Sequence, residues 1–196
     1  MPRLAREVIP HNPYHITQRG NFRLDVFDSD IDKDIYLSIF QQNCKKFNIK
    51  VYAWCLMDNH VHFIVEPSNE KGLAFLFKNT AMTYSKYYNS KHGVQGKRWQ
   101  DRFYSIRLET DHLYEAIRYV ELNPVRAGLV TSPILFKYSS APDRFVDQPT
   151  IPLDSFEKYF IIDDWMKYLN EPIVEELVNH FKQNKSIGRP KLIKRL

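Results

Sequence analysis

Two groups of residues in this chain have types and spacings suited to chemistry. His60-Val61-His62 puts two imidazoles two positions apart. On a strand, side chains alternate, so this spacing sends both rings to one face, about 7 Å apart along the strand. From there they can converge on one metal ion. The competing reading is a pair of histidines satisfied by hydrogen bonds beside a turn. Polar pairs inside an apolar hairpin are costly unless they are used. The second group is Tyr119 with Asn123, four apart and so one turn apart on a helix face. They flank an apolar stripe of Leu113, Ala116, Ile117 and Val120. Read alone, they are a tyrosine covering a core edge and an asparagine capping a helix. Read with the histidines, they make a site. Two imidazoles and an amide oxygen from Asn123 leave positions open for water and a phosphate, and neutral ligands leave the metal's charge uncancelled. Tyr119 then attacks phosphorus. A phenol is a fair leaving group, so a phosphotyrosine bond can be reversed by a DNA hydroxyl.

These residues need elements to hold them. Pro13–Gln18 reads as a first strand, followed by a Gly20-Asn21 turn. Asp30–Phe47 reads as a helix with Ile31, Ile35 and Ile39 at helical spacing and Asp28 or Ser29 as its cap. Lys50–Met57 and His60–Glu66 form a hairpin across Asp58-Asn59. A helix over about 70–89, capped by Ser68, carries Leu73, Phe77, Ala81, Tyr84 and Tyr88 on one face. After a loop over 91–96 come a fourth strand within Trp99–Leu108, clearest from Phe103, and a helix from Asp111 to about Leu122. Thr110 is expected to cap that helix and Pro124 to stop it. The order β-α-β-β-α-β plus a helix is an α+β, split-βαβ (ferredoxin- or RRM-like) antiparallel sheet with helices packed on it. Residues 133–152 read as a proline-bearing loop, and Ser155–Leu169 and Pro172–Asn184 as two helices. The expected division is a catalytic domain at 1–132 and an extension at 133–196.

Composition narrows the class. The chain has 196 residues, no apolar run long enough for a membrane span and no secretory signal pattern, so a cytoplasmic location is expected. Cys44 and Cys55 suit neither a disulfide framework nor a zinc cluster. The net charge is +5 and the pI about 9.1, a mild sign of polyanion binding. Basic residues concentrate in two places. One is 97–107, with Lys97, Arg98, Trp99, Gln100, Arg102 and Arg107. Aromatic faces interleaved with cations there suit single-stranded nucleic acid. The other is the tail, where Gly188-Arg189-Pro190-Lys191 looks like the centre of an AT-hook, or else a basic tail with no fixed structure.

His60-Val61-His62 resembles the histidine–hydrophobic–histidine motif of the HUH enzymes. Arg118-Tyr-Val-Glu-Leu-Asn-Pro-Val-Arg-Ala-Gly128 resembles the tyrosine helix of the single-tyrosine HUH transposases, and Trp99–Phe103 and Tyr14–Gly20 match further stretches. The resemblance spans about 14–130, and the branch it most resembles is the REP-associated tyrosine transposases. It implies an RRM-like sheet with the HUH strand central, Mg²⁺ or Mn²⁺, and nicking and rejoining of single-stranded DNA beside a hairpin through a 5′-phosphotyrosine. It implies Tyr119 as nucleophile, His60 and His62 as metal ligands and Asn123 in the third ligand position. It also implies REP-like hairpins as partners, a location at the nucleoid, and a monomer as in the REP-associated branch, with a dimer as in the insertion-sequence relatives as the alternative. Rival nucleophiles are Tyr84, Tyr87 and Tyr88. Rival functions are a hairpin-binding module without cleavage, an RRM-like RNA-binding protein and a metallohydrolase using water.

Overall fold

A computed structural model describes residues 7–156 and 164–171. Four antiparallel strands form one sheet: β1 (Tyr14–Arg19), β2 (Ile49–Met57), β3 (His60–Pro67) and β4 (Tyr104–Arg107), in the order β2-β3-β1-β4. The helices are α1 (Asp30–Phe47), α2 (Gly72–His92), α3 (Thr110–Glu121), α4 (Asn123–Arg126), α5 (Ser140–Asp143) and α6 (Trp165–Asn170). This is the expected split-βαβ sheet, with β3 and β1 in its centre. The β2–β3 link is the two-residue turn Asp58-Asn59, so Met57 pairs with His60.

The sheet has a different partner on each face. Tyr14, Ile16, Trp54, Leu56, Val61, Phe63 and Val65 point to α1 and α2. Ring stacking knits that core, with Phe40 and Phe63 centroids 4.0 Å apart. The other face packs Cys55, Met57, Ile64 and Ile106 against α3 through Leu113, Ala116, Ile117 and Val120, the stripe expected from sequence. Cys44 and Cys55 are free and buried.

Several local expectations need correction. The buried face of α1 is Tyr36, Leu37, Phe40 and Cys44, whereas Ile31 is exposed. Burial of Asp32 and Lys33 fixes that rotation, because Lys91 reaches Asp32 at 2.8 Å and Lys33 reaches Asp58 at 2.7 Å. Ser29 does cap α1, accepting from the Asp32 amide. Ser68 does not cap α2, which starts at Gly72 without a side-chain cap, and Thr110 is the first residue of α3 rather than its cap. β4 is shorter than Trp99–Leu108. Pro124 does end α3, yet the chain continues as the single turn α4, in which a proline is tolerated at the first positions. Residues 133–152 hold a 3-10 turn at Pro133–Leu135 and α5 within their loop. The helix expected over Ser155–Leu169 is helical only from Trp165 among its described residues, and the one expected over Pro172–Asn184 lies outside them.

Candidate active site

β1 and β3 lie side by side in a register that sets Thr17 against His62 and Arg19 against His60. Alternation therefore places His15, Thr17 and Arg19 on the same face as His60 and His62, the face covered by α3. The His60 and His62 ring centroids are 5.0 Å apart. Tyr119, on α3, stands edge-on to His62 at 5.8 Å and to His15 at 5.6 Å. The tyrosines of α2 are across the sheet. Tyr84 donates to the Val26 carbonyl, Tyr87 to Asp32 and Tyr88 to Asp28. Of Tyr84, Tyr87, Tyr88 and Tyr119, Tyr119 is the one beside the histidine pair.

Hydrogen bonds orient the imidazoles. Asn59 Nδ2 donates to the Arg23 carbonyl at 3.2 Å, which turns its Oδ1 toward His60. That oxygen can only accept, so His60 Nδ1, 2.6 Å away, carries the proton and Nε2 keeps its lone pair. His62 Nδ1 lies 2.9 Å from His15 Nε2 and 3.2 Å from Thr17 Oγ1. When Nδ1–H of His62 donates to His15, the lone pair of His62 also sits on Nε2. Metal-ligating histidines are held in just this way through their other nitrogen.

Burial pushes the His15 pKa down to about 3 and, helped by Arg19, that of His60 to about 4. Burial, with His60, His15, Arg19 and Arg126 around it, holds His62 well below the ordinary range. All three are neutral near pH 7, the form that binds a cation. Burial raises Tyr119, while Arg126 and Arg19 oppose the rise. The Arg126 guanidinium lies 4.9 Å from the centre of the Tyr119 ring. The break at Pro124 and the turn α4 carry Arg126 back toward Tyr119.

Asn123 is the first residue of α4, and its Nδ2 donates to the Tyr119 carbonyl at 2.9 Å, leaving the amide oxygen as its acceptor. Among the described residues, no group of three or more His, Cys, Asp or Glu side chains is arranged to hold a metal ion. The donors that His60 and His62 offer are two neutral imidazole nitrogens. Such a set fits a divalent ion that retains open positions for water and phosphate oxygens.

The basic stretch 97–107 divides. Lys97, Gln100 and Arg102 are exposed and Arg107 is half-buried. Arg98 lies 3.6 Å over the Tyr88 ring and donates to the Asp25 carbonyl at 2.7 Å. Trp99 is no stacking surface for a base, a correction to the sequence expectation. Its ring is buried against Phe27, Tyr36 and Tyr84, drawn inward by the pairing of its backbone with Gly20. Phe103 is likewise buried, against Phe77. Arg189 and Lys191 lie outside the described residues. Sequence reasoning assigned no site role to Arg19, Thr17 or Arg126, and gave Asn59 only the hairpin turn. The alternation of His15-Ile-Thr-Gln-Arg19 held the signal for a β1 contribution. Nothing local marked Arg126, whose position depends on the break after α3.

The family described as "Transposase IS200 like" matches residues 10–123. No curated protein matches the chain. A solved structure described as a REP-associated tyrosine transposase bound to a REP hairpin is similar at a TM-score of 0.58 and 17% identity. The match covers 89% of this chain and 99% of that one. A putative transposase from Deinococcus radiodurans R1 is similar at a TM-score of 0.43 and 13% identity, over 65% of this chain and 92% of that one.

Proposed function

From a chain that belongs to the IS200-like transposase family, we propose a strand transferase that nicks and rejoins single-stranded DNA beside a hairpin, with Tyr119 as nucleophile. The observation that carries this reading is the placement of Tyr119 edge-on to His62 on the histidine face, with the tyrosines of α2 across the sheet. The Tyr119 oxygen forms a bond to phosphorus and the bond from phosphorus to the 3′ oxygen breaks. A 5′-phosphotyrosine and a 3′-hydroxyl result, the latter taking up a proton. Attack by a 3′-hydroxyl on the same phosphorus reverses the step, and Tyr119 is released without ATP. Arg126 and Arg19 favour the phenolate and so oppose part of the burial that raises the Tyr119 pKa.

His60 and His62, with the Asn123 oxygen, are the residues that would hold Mg²⁺ or Mn²⁺. When bound, the ion supplies positive charge to polarise the phosphodiester. Asn59 and His15 keep the ligand nitrogens presented. The partner proposed is single-stranded DNA with REP-like hairpins, by likeness to the hairpin-bound transposase of similar fold. Lys97, Gln100, Arg102 and Arg107, with Arg189 and Lys191 of the tail, are the proposed phosphate contacts. The protein is proposed to act as a monomer, in the cytoplasm at the nucleoid. Among the described residues, no helix is long and apolar enough to cross a membrane. Residues 1–132 form the proposed catalytic unit and 133–196 its extension.

The test incubates end-labelled hairpin oligonucleotides with protein and Mg²⁺ or Mn²⁺ and resolves them on a denaturing protein gel. A labelled protein band is expected that needs metal, His60 and His62 and is lost in Tyr119→Phe. Cleavage without that band makes the protein a metallohydrolase, and binding without cleavage makes it a hairpin-binding module.

A further inference from the structure

Between β1 and α1 lies a turn that the chemistry above does not use. Asn21–Arg23 form one 3-10 turn, with φ of 53° at Phe22 and 61° at Arg23. For a bulky aromatic residue, a left-handed backbone is a true outlier, and such strain collects at ligand clamps. The turn is tied down on two sides. Gly20 N donates to the Asn59 carbonyl at 2.8 Å and Asn21 N to the Arg98 carbonyl at 2.7 Å. Asn59 Nδ2 closes it by donating to the Arg23 carbonyl. Packing does not account for Phe22, which is 83% exposed, with Leu24 beside it at 63%.

The turn adjoins the site. Asn59 orients His60, and Arg19, at the base of the turn, pairs with His60 across the β1–β3 ladder. Residues 19–25 carry the cations Arg19 and Arg23 against the single acid Asp25. We propose that Phe22 is a stacking platform for an unpaired nucleobase next to the scissile phosphate, with Arg19 and Arg23 meeting the flanking phosphates. Every base offers a flat π-face, so such a platform grips single strands without reading sequence, and cations beside it track the backbone. The hydrogen bonds to Asn59 and Arg98 fix the backbone on which the ring is carried. The inference rests on the strand-transfer reading above and adds to it a binding subsite for single-stranded DNA.

The test measures the affinity, without metal, of a hairpin oligonucleotide with a single-stranded flank, for wild type, Phe22→Asn and Phe22→Trp. Asparagine tolerates the left-handed region better than phenylalanine, so Phe22→Asn is expected to fold, which thermal unfolding verifies. Stacking of one base predicts binding weakened roughly 5- to 100-fold in Phe22→Asn and retained in Phe22→Trp. It also predicts a photo-crosslink from 5-iodouracil in the flank to the peptide containing Phe22. Wild-type affinity in Phe22→Asn overturns the proposal, as does an equal loss on a blunt duplex with no unpaired flank. If wild type forms the tyrosine adduct while Phe22→Asn binds unchanged, this subsite alone fails. If wild type neither binds nor cuts single strands, the strand-transfer reading fails with it.

Discussion

The buried imidazoles make stability depend on pH, and His15 gives the cleanest case. It is 2% exposed, and burial depresses its pKa to about 3 from an ordinary value of 6.5. The unfolded chain therefore binds a proton that the folded chain refuses as pH falls through 6.5. Its contribution is complete above that value and is lost progressively toward about pH 3. One proton of difference is worth about 1.4 kcal/mol per pH unit. Between about pH 7 and about pH 5, His15 alone should remove about 2 kcal/mol of folding stability, out of the roughly 5–15 kcal/mol typical of a domain. His60 and His62 act in the same direction.

Replacing His15 by glutamine removes that titration but keeps a polar side chain opposite His62. The assay is urea unfolding of wild type and His15→Gln at the two pH values. Wild type should lose about 2 kcal/mol more than the variant on acidification, whatever the variant costs near neutrality. Comparing slopes separates proton linkage from lost packing. Equal slopes would mean that His15 is solvated or already charged in the folded protein, and the neutral His15–His62 hydrogen bond would fall with that result.

Two further outcomes follow from buried geometry. Glu121, fully buried, accepts from Ser140 Oγ and Arg144 Nε at 2.7 Å and from Trp165 Nε1 at 2.8 Å. Glu121→Gln should strip the counter-charge from Arg144 and cost about 3–5 kcal/mol, read from the urea midpoint. Gly20→Ala would drive a Cβ into the Leu24 carbonyl oxygen and to 2.8 Å from Val26 Cγ1. The turn must shift, at a cost of about 1–3 kcal/mol, visible as a lowered thermal midpoint.

What could be read from sequence was what local periodicity controls. Alternation separated His60 and His62 from Val61, Phe63 and Val65, and the short Asp58-Asn59 link fixed the hairpin. The α3 stripe was legible because its four apolar residues all serve one contact. In α1 the same arithmetic caught only the rim of the buried face, since Ile39 packs against the core while Ile31 is exposed. Ile31, Ile35 and Ile39 match the helical period, but Tyr36 and Phe40 supply the larger rings and the ion pairs of Asp32 and Lys33 set the rotation. Trp99 was misplaced because a tryptophan among cations has the composition of a base-stacking segment. Its burial depends on a backbone bridge to Gly20, 79 positions earlier, which no local pattern encodes. Arg126 was missed for a related reason, since its approach to Tyr119 depends on how the chain bends after α3.

The two faces of the sheet differ in composition, and the polar strand residues gather on the face proposed to carry the chemistry. On the α1–α2 side the strand residues are chiefly aromatic and aliphatic, and their packing stabilises the fold. On the α3 side, His15, Thr17, Arg19, His60 and His62 gather near the sheet centre, where unpartnered polar groups are expensive. The fold offsets that cost by pairing His15 and Thr17 with His62, and His60 with Asn59. α3 must then be held so that Tyr119 stays edge-on to His62, and the residues beyond 132 do part of this. Ser140, Arg144 and Trp165 all converge on Glu121 at the end of α3. One turn earlier, Arg118 pairs with Glu115, donates to the Glu171 carbonyl and lies 4.3 Å from the centre of the Tyr168 ring. Glu121 and Arg118 each sit within two residues of Tyr119. Ser140, Arg144, Trp165 and Tyr168 of the extension therefore brace the helix that carries Tyr119, the proposed nucleophile, against the sheet.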